Sequence, residues 1–100
     1  MSVYVIAQIS ITDREAYNRY QAKFLDVFKK FKGELLAADE KPEIIEGNWN
    51  REKVVLMRFP DRESFEDWAF SPEYREIAED RRAGSDGVFL LVRSFDAPVG

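Results

Sequence analysis

The chain has 100 residues, 45% of them hydrophobic and 14% aromatic, with 19 acidic and 15 basic side chains and a net charge of −4. This composition describes one folded domain rather than a disordered segment, and its mild acidity offers no general attraction for nucleic acid or an anionic membrane. Without cysteine or histidine, disulfides, thiolate zinc sites, a Ser-His-Asp triad and a His-ligated haem are excluded, so acid–base chemistry falls to carboxylates, Tyr, Lys or water.

Val3–Ile11 reads as a strand by strict alternation. Val3, Val5, Ala7, Ile9 and Ile11 share one apolar face, whereas Tyr4, Ile6, Gln8 and Ser10 share a mixed one. The same stretch lacks the basic start and small-residue cleavage site of a secretion signal. No apolar run approaches the ~18 residues of a membrane helix, so a cytoplasmic, membrane-free protein is expected. Thr12 with Glu15 forms a capping-box pattern that predicts a helix. Tyr17, Tyr20, Phe24, Val27, Phe28 and Phe31 recur along it at spacings that make one apolar stripe. Lys29, Lys30 and Lys32 suit its last turn, and Gly33 is expected to stop it.

Leu35–Ala38 opens a second strand that Pro42 interrupts, with a bulge or bend and a possible resumption at Glu43–Glu46. Gly47-Asn48-Trp49-Asn50 has turn chemistry and leads to a third strand, Lys53–Phe59. Asp61 caps a helix over Arg62–Ala69, and Ser71-Pro72 caps and restarts it to about Arg82. A loop is expected at Gly84–Gly87, then a last strand at Val88–Phe95, apolar on both faces up to Arg93. Residues 1–96 make a single domain, with 97–100 as a flexible tail.

The order β-α-β-β-α-β predicts a ferredoxin-like α+β fold: a four-stranded antiparallel sheet with both helices on one face and the first and third strands central. The bare face would then expose apolar residues from several strands, which soluble monomers seldom do. A two-fold homodimer, sheet face against sheet face, resolves this.

Few residues suggest chemistry. Arg58, late in a central strand, either holds a carboxylate ligand or makes an ion pair with Glu46 or another acid. Gln8 and Ser10 either orient a ligand or meet their symmetry mates. Tyr17 and Tyr20 carry hydroxyls on the first helix's stripe, where a core role competes with general acid catalysis. Trp49 either packs on the partner or lids a pocket. Trp68 and Tyr74 bracket the helix break as core anchors or ligand contacts. Arg81-Arg82 reads as solvated helix surface. The acidic pairs Asp39-Glu40 and Glu79-Asp80 lack the spacing of a calcium loop, so no metal is expected.

The Phe59-Pro60-Asp61 turn, Trp68 and Ser71-Pro72-Glu73-Tyr74 together resemble a small bacterial family of uncharacterised function, the domain-of-unknown-function family 1330 of the dimeric α+β barrel superfamily. The likeness runs through Tyr17 and Tyr20, Gly33, Glu46-Gly47 and Val54–Met57. Gly33-Glu34 stands where the family commonly has a glycine pair, and Arg58 where it often has an acid. The resemblance implies the same fold and dimer; the superfamily's haem enzymes do not apply without a histidine to ligate iron, so no cofactor is expected. It leaves two functions open. One is a binding or structural dimer taking a small apolar or aromatic carboxylic ligand. The other is a cofactor-independent isomerase or monooxygenase, as in other branches of the superfamily.

Overall fold

The computed structural model describes residues 1–95; the tail expected at 97–100 lies outside them. The elements in chain order are β1 (Val3–Ile11), α1 (Arg14–Phe28), β2 (Glu34–Asp39), β3 (Lys53–Phe59), α2 (Arg62–Ala69), α3 (Pro72–Gly84) and β4 (Ser85–Arg93). The strands form one antiparallel sheet in the order β2-β3-β1-β4. This is the ferredoxin-like arrangement, with the second helix broken in two.

The register aligns the core. Val3, Val5, Ala7 and Ile9 alternate as buried residues of β1. Across β3 they meet Phe59, Met57, Val55 and Lys53, and across β4 Arg93, Leu91, Phe89 and Gly87. This face packs on Tyr17, Tyr20, Phe28, Trp68, Tyr74 and Ile77 of the helices. The opposite face carries Tyr4, Ile6 and Gln8 beside Arg58, Leu56 and Val54 on one side and Val92, Leu90 and Val88 on the other. No helix lies over it, and Val88, Leu90 and Val92 remain 39–44% exposed.

Local details depart from the sequence reading in four places. Asp13, not Thr12, caps α1: its carboxylate accepts from the N–H groups of Glu15 and Ala16 at 3.1 and 3.3 Å. The N–H groups of Thr12 and Asp13 both donate to the Gly84 carbonyl, at 2.9 and 3.1 Å, which holds the chain extended one residue longer. Second, α1 ends at Phe28, so Lys29, Lys30 and Lys32 fall beyond its last regular residue. Gly33 has a packing role: a Cβ there would lie 2.5 Å from the Phe28 ring and 2.6 Å from the Phe59 ring. Third, the bulge of β2 falls between Leu35 and Ala37, and no strand resumes at Glu43–Glu46. Residues 40–52 form a long loop in which Gly47 takes a positive φ of 92°. Fourth, the loop expected at Gly84–Gly87 does not exist. α3 runs to Gly84 and β4 starts at Ser85.

The two other caps follow the sequence. The Asp61 carboxylate accepts from Ser64 N–H at 2.7 Å, and that backbone bond holds its pKa below the usual carboxylate value. Ser71 Oγ accepts from Tyr74 N–H at 3.1 Å and donates to the Trp68 carbonyl at 2.8 Å, with Pro72 at the first helical position.

Candidate functional site

The helices do not close completely on the sheet. Between them lies a cleft of about 460 Å³, within the usual size of a small-molecule site. Helical periodicity supplies one wall: Tyr17, Tyr20 and Phe24 of α1, Trp68 and Ala69 of α2, and Tyr74 and Arg81 of α3. The sheet supplies the floor, with Val5, Ala7 and Ile9 flanked by Met57, Val55 and Lys53. The walls are mostly aromatic, and Trp68 is their hub at the Phe59 end, with its ring centre 5.5 Å from that of Phe59 and 4.3 Å from that of Tyr74.

A few polar groups interrupt this lining. Lys53 is only 5% exposed. Its ammonium donates to Gln21 Oε1 at 2.8 Å and stands 4.8 Å above the centre of the Tyr17 ring. Burial, its largest influence, lowers its pKa. The hydroxyls of Tyr20 and Tyr74 share a buried hydrogen bond of 2.9 Å. The Arg81 guanidinium lies over the Phe89 ring at 4.3 Å, and its Nε is buried without a hydrogen-bond partner among the described residues. Among the described residues Trp68 Nε1 is likewise a buried donor without a partner. A neutral buried donor such as the indole costs about 1–3 kcal/mol, and a charged one costs more.

Burial pushes the Tyr17 phenol up to about 12, with Glu40 adding to the rise, and burial together with Tyr74 pushes Tyr20 well above 10.0. A phenol that holds its proton more tightly when folded gives stability that is complete below its unfolded value of 10.0. That stability is lost as pH rises through the folded value. Urea denaturation from pH 9 to 12 should therefore show stability falling above about pH 10. The fall should be shallower in Tyr17→Phe; an equal slope in both would remove Tyr17 as its source.

Of the sequence candidates, Tyr17, Tyr20, Trp68 and Tyr74 meet in this cleft. The others lie on the open sheet face. Trp49 Nε1 donates to Gln8 Oε1 at 3.1 Å, and the loop from Pro42 to Trp49 arches over Ile6, Gln8 and Val54, leaving a second, wide hollow of about 450 Å³. Ser10 Oγ accepts from Arg51 at 3.4 Å, and Arg51 also binds the Asp86 carboxylate at 3.2 Å. Arg58 is on the open face too, away from the cleft, and ion-pairs with Glu34 across the β2–β3 ladder rather than with Glu46.

Sequence reasoning missed Lys53 and Arg81. Lys53 is in phase with Val55, Met57 and Phe59, the inward parity of β3, so the alternation itself pointed it into the cleft. Arg81 lies seven residues after Tyr74 on the buried stripe of α3. The Arg81-Arg82 pair is thus divided: Arg82 is exposed as expected, but Arg81 is half-buried. The acidic pairs have basic neighbours, with Arg14 on Glu40 at 2.9 Å and Arg19 on Asp80 at 3.1 Å.

Comparison with known proteins agrees with this geometry. Residues 2–95 match the profile of a family described as Domain of unknown function (DUF1330). A protein of unknown function from Rhodopseudomonas palustris, RPA0582, superposes with a TM-score of 0.80 at 17% identity, over 95% of this chain and 83% of that one. SnoaB, a cofactor-independent oxygenase from Streptomyces nogalater, gives 0.66 at 13% identity, over 97% and 96% of the two chains. A dimeric ferredoxin-like protein of unknown function from Thermobifida fusca gives 0.61 at 12%, over 91% and 89%. At such identities the likeness is one of fold. No curated protein matches the sequence.

Proposed function

We propose a function for a chain that belongs to the DUF1330 family, a family of unknown function: it is a homodimer that binds a small, largely apolar molecule in the cleft between helices and sheet. The observation that carries this reading is the cleft itself. Protein interiors pack with few voids larger than a water molecule, yet about 460 Å³ stays open here among side chains large enough to fill it. The aromatic walls suit a flat apolar body, and the few buried donors suit its orientation.

The dimer rests on the exposed Val88, Leu90 and Val92 of the sheet face that no helix covers and on the dimeric Thermobifida relative. It assigns Gln8, Ser10, Trp49 and Arg58 to the interface side and Tyr17, Tyr20 and Trp68 to the ligand. Sedimentation at micromolar concentration is expected to give twice the chain mass of 11.7 kDa; a monomer would overturn this part. With no cysteine to staple it, a cytoplasmic location completes the reading.

The binding reading is tested by thermal-shift screening of small aromatic compounds against wild type and Ala69→Phe. Ala69 lines the cleft, so a ring placed there competes with a ligand. Hits that stabilise wild type and lose their effect in the variant are the expected result. An absence of hits in wild type would sink the reading.

One observation favours a second function, a cofactor-independent enzyme such as an isomerase or the kind of oxygenase that SnoaB represents. Lys53, with its lowered pKa, offers the cleft a base that neither histidine nor a lining carboxylate among the described residues provides. Turnover of a compound found by the screen, lost in Lys53→Met while binding persists, distinguishes enzyme from binder.

A further inference from the structure

The charges of this protein are arranged unevenly. Nineteen acidic side chains outnumber fifteen basic ones, yet among the described residues no Asp or Glu lines the cleft, whereas Lys53, Arg81 and Arg82 do. Arg14, Arg19, Arg51, Arg58, Arg62 and Lys29 each pair with a carboxylate, and none of these pairs lines the cleft. Inside it the pattern reverses. Among the described residues, Lys53 has only the neutral Gln21 as hydrogen-bond acceptor, the carboxylate that acts on it, Glu40, is already bound to Arg14, and Arg81 Nε has no partner. A buried or half-buried cation without a counter-ion is costly.

Both cations adjoin Tyr17. Lys53 stands over the Tyr17 ring, beside Ile9 on β3. Arg81 approaches from the β4 side, over Phe89, which pairs with Ala7. Its charge is close enough to Tyr17 to act on that phenol. One end of the cleft is therefore cationic, and the other, around Phe24, Met57 and Trp68, is apolar and aromatic.

Resting on the cleft as a binding site, we propose that its ligand is an apolar anion of the aromatic carboxylate class. The carboxylate lies near Tyr17 between Lys53 and Arg81, and the ring system extends toward Trp68. The ligand supplies a counter-charge inside the cleft, where the lining among the described residues has none. Arg58, the residue that sequence alone marked as a carboxylate anchor, already has Glu34 as its partner.

The test compares 1-naphthoate with its neutral isostere 1-naphthamide. A Trp49→Phe background leaves Trp68 as the one tryptophan, so quenching of its fluorescence reports occupancy of the cleft. The acid is expected to bind about tenfold more tightly than the amide, the effect of one well-placed charged contact. Lys53→Met and Arg81→Gln are each expected to cut that preference to about twofold or less. Lys53→Arg, which keeps the charge, should retain most of it. Equal binding of acid and amide to the background protein would overturn the anion proposal and leave the binding site standing. A preference that survives both neutral substitutions would overturn the roles of Lys53 and Arg81. If neither probe binds, the proposal falls together with the binding reading.

Discussion

Trp68→Ala is expected to lower stability by about 4 kcal/mol, in the range of buried large-to-small aromatic substitutions. For a domain of this size that corresponds to a fall of roughly 20 °C in Tm. Trp68 is 3% exposed. Its ring centre lies 6.2 Å from Phe24, 5.4 Å from Phe28, 5.5 Å from Phe59, 6.2 Å from Phe65 and 4.3 Å from Tyr74. Removing it empties the junction of α1, α2, α3 and β3 at once, and the rings around it cannot all collapse inward. Trp68→Phe should behave differently. It keeps an aromatic ring in the cluster and removes an indole N–H that has no hydrogen-bond partner. Loss of that orphaned donor is worth about 1–3 kcal/mol, which offsets most of the lost packing. Urea denaturation should place Trp68→Phe within about 1 kcal/mol of wild type. Equal losses in both variants would mean that the indole nitrogen has a partner in solution.

Gly84→Ala is expected to cost about 3 kcal/mol, although alanine favours helices and limits the unfolded chain. A Cβ on Gly84 would stand 2.5 Å from Tyr17 N and 2.7 Å from Asp13 O. Both are backbone atoms, so no rotamer change relieves the clash. α1 and α3 must separate where the Gly84 carbonyl binds the N–H groups of Thr12 and Asp13. Those bonds then weaken, at about 1 kcal/mol each. The same shift moves Tyr17, so the cleft mouth deforms and ligand affinity should fall with stability. Gly47→Ala is the control. Its φ of 92° disfavours a side chain, but nothing lies within 4 Å, and a loss of about 1 kcal/mol without change in binding is expected. A Gly84→Ala protein as stable as wild type would show that the helices part freely at that contact.

The two glycines differ in how far sequence could foresee their roles. Gly47 sits in Gly47-Asn48-Trp49-Asn50, where a turn was expected from composition. Gly84 opens the Gly84-Ser85-Asp86-Gly87 stretch, whose composition predicts a loop. Only the packing of α1 shows that it is a point of helix contact. Gly33 repeats the lesson: it was expected as a helix stop, and it admits the rings of Phe28 and Phe59.

The candidate site was legible in part for a similar reason. Tyr17, Tyr20 and Trp68 were visible because period and aromaticity coincide. Lys53 and Arg81 were in phase with the same buried faces, but basic side chains at the start of a strand and near the end of a helix usually reach water. Their inward course depends on a space that no local pattern encodes. Arg58 shows the converse: an isolated charge in a central strand invited a functional role, and the Glu34 that pairs with it across the ladder became evident only once β2 and β3 were in register.

Sequence by itself determined the element order, the strand that feeds the broken helix, the caps at Asp61 and Ser71, and the apolar nature of both sheet faces. These follow from periods of two and 3.6 residues and from turn chemistry, all of which act over a few neighbouring residues. Tertiary structure alone decided that the helices stand off the sheet far enough to leave a cleft, and which charges enter it unpaired. Those outcomes depend on how rings from four elements meet around Trp68 and on close backbone contact at Gly84. Both are sums over residues distant in the chain, and no segment of it carries them alone.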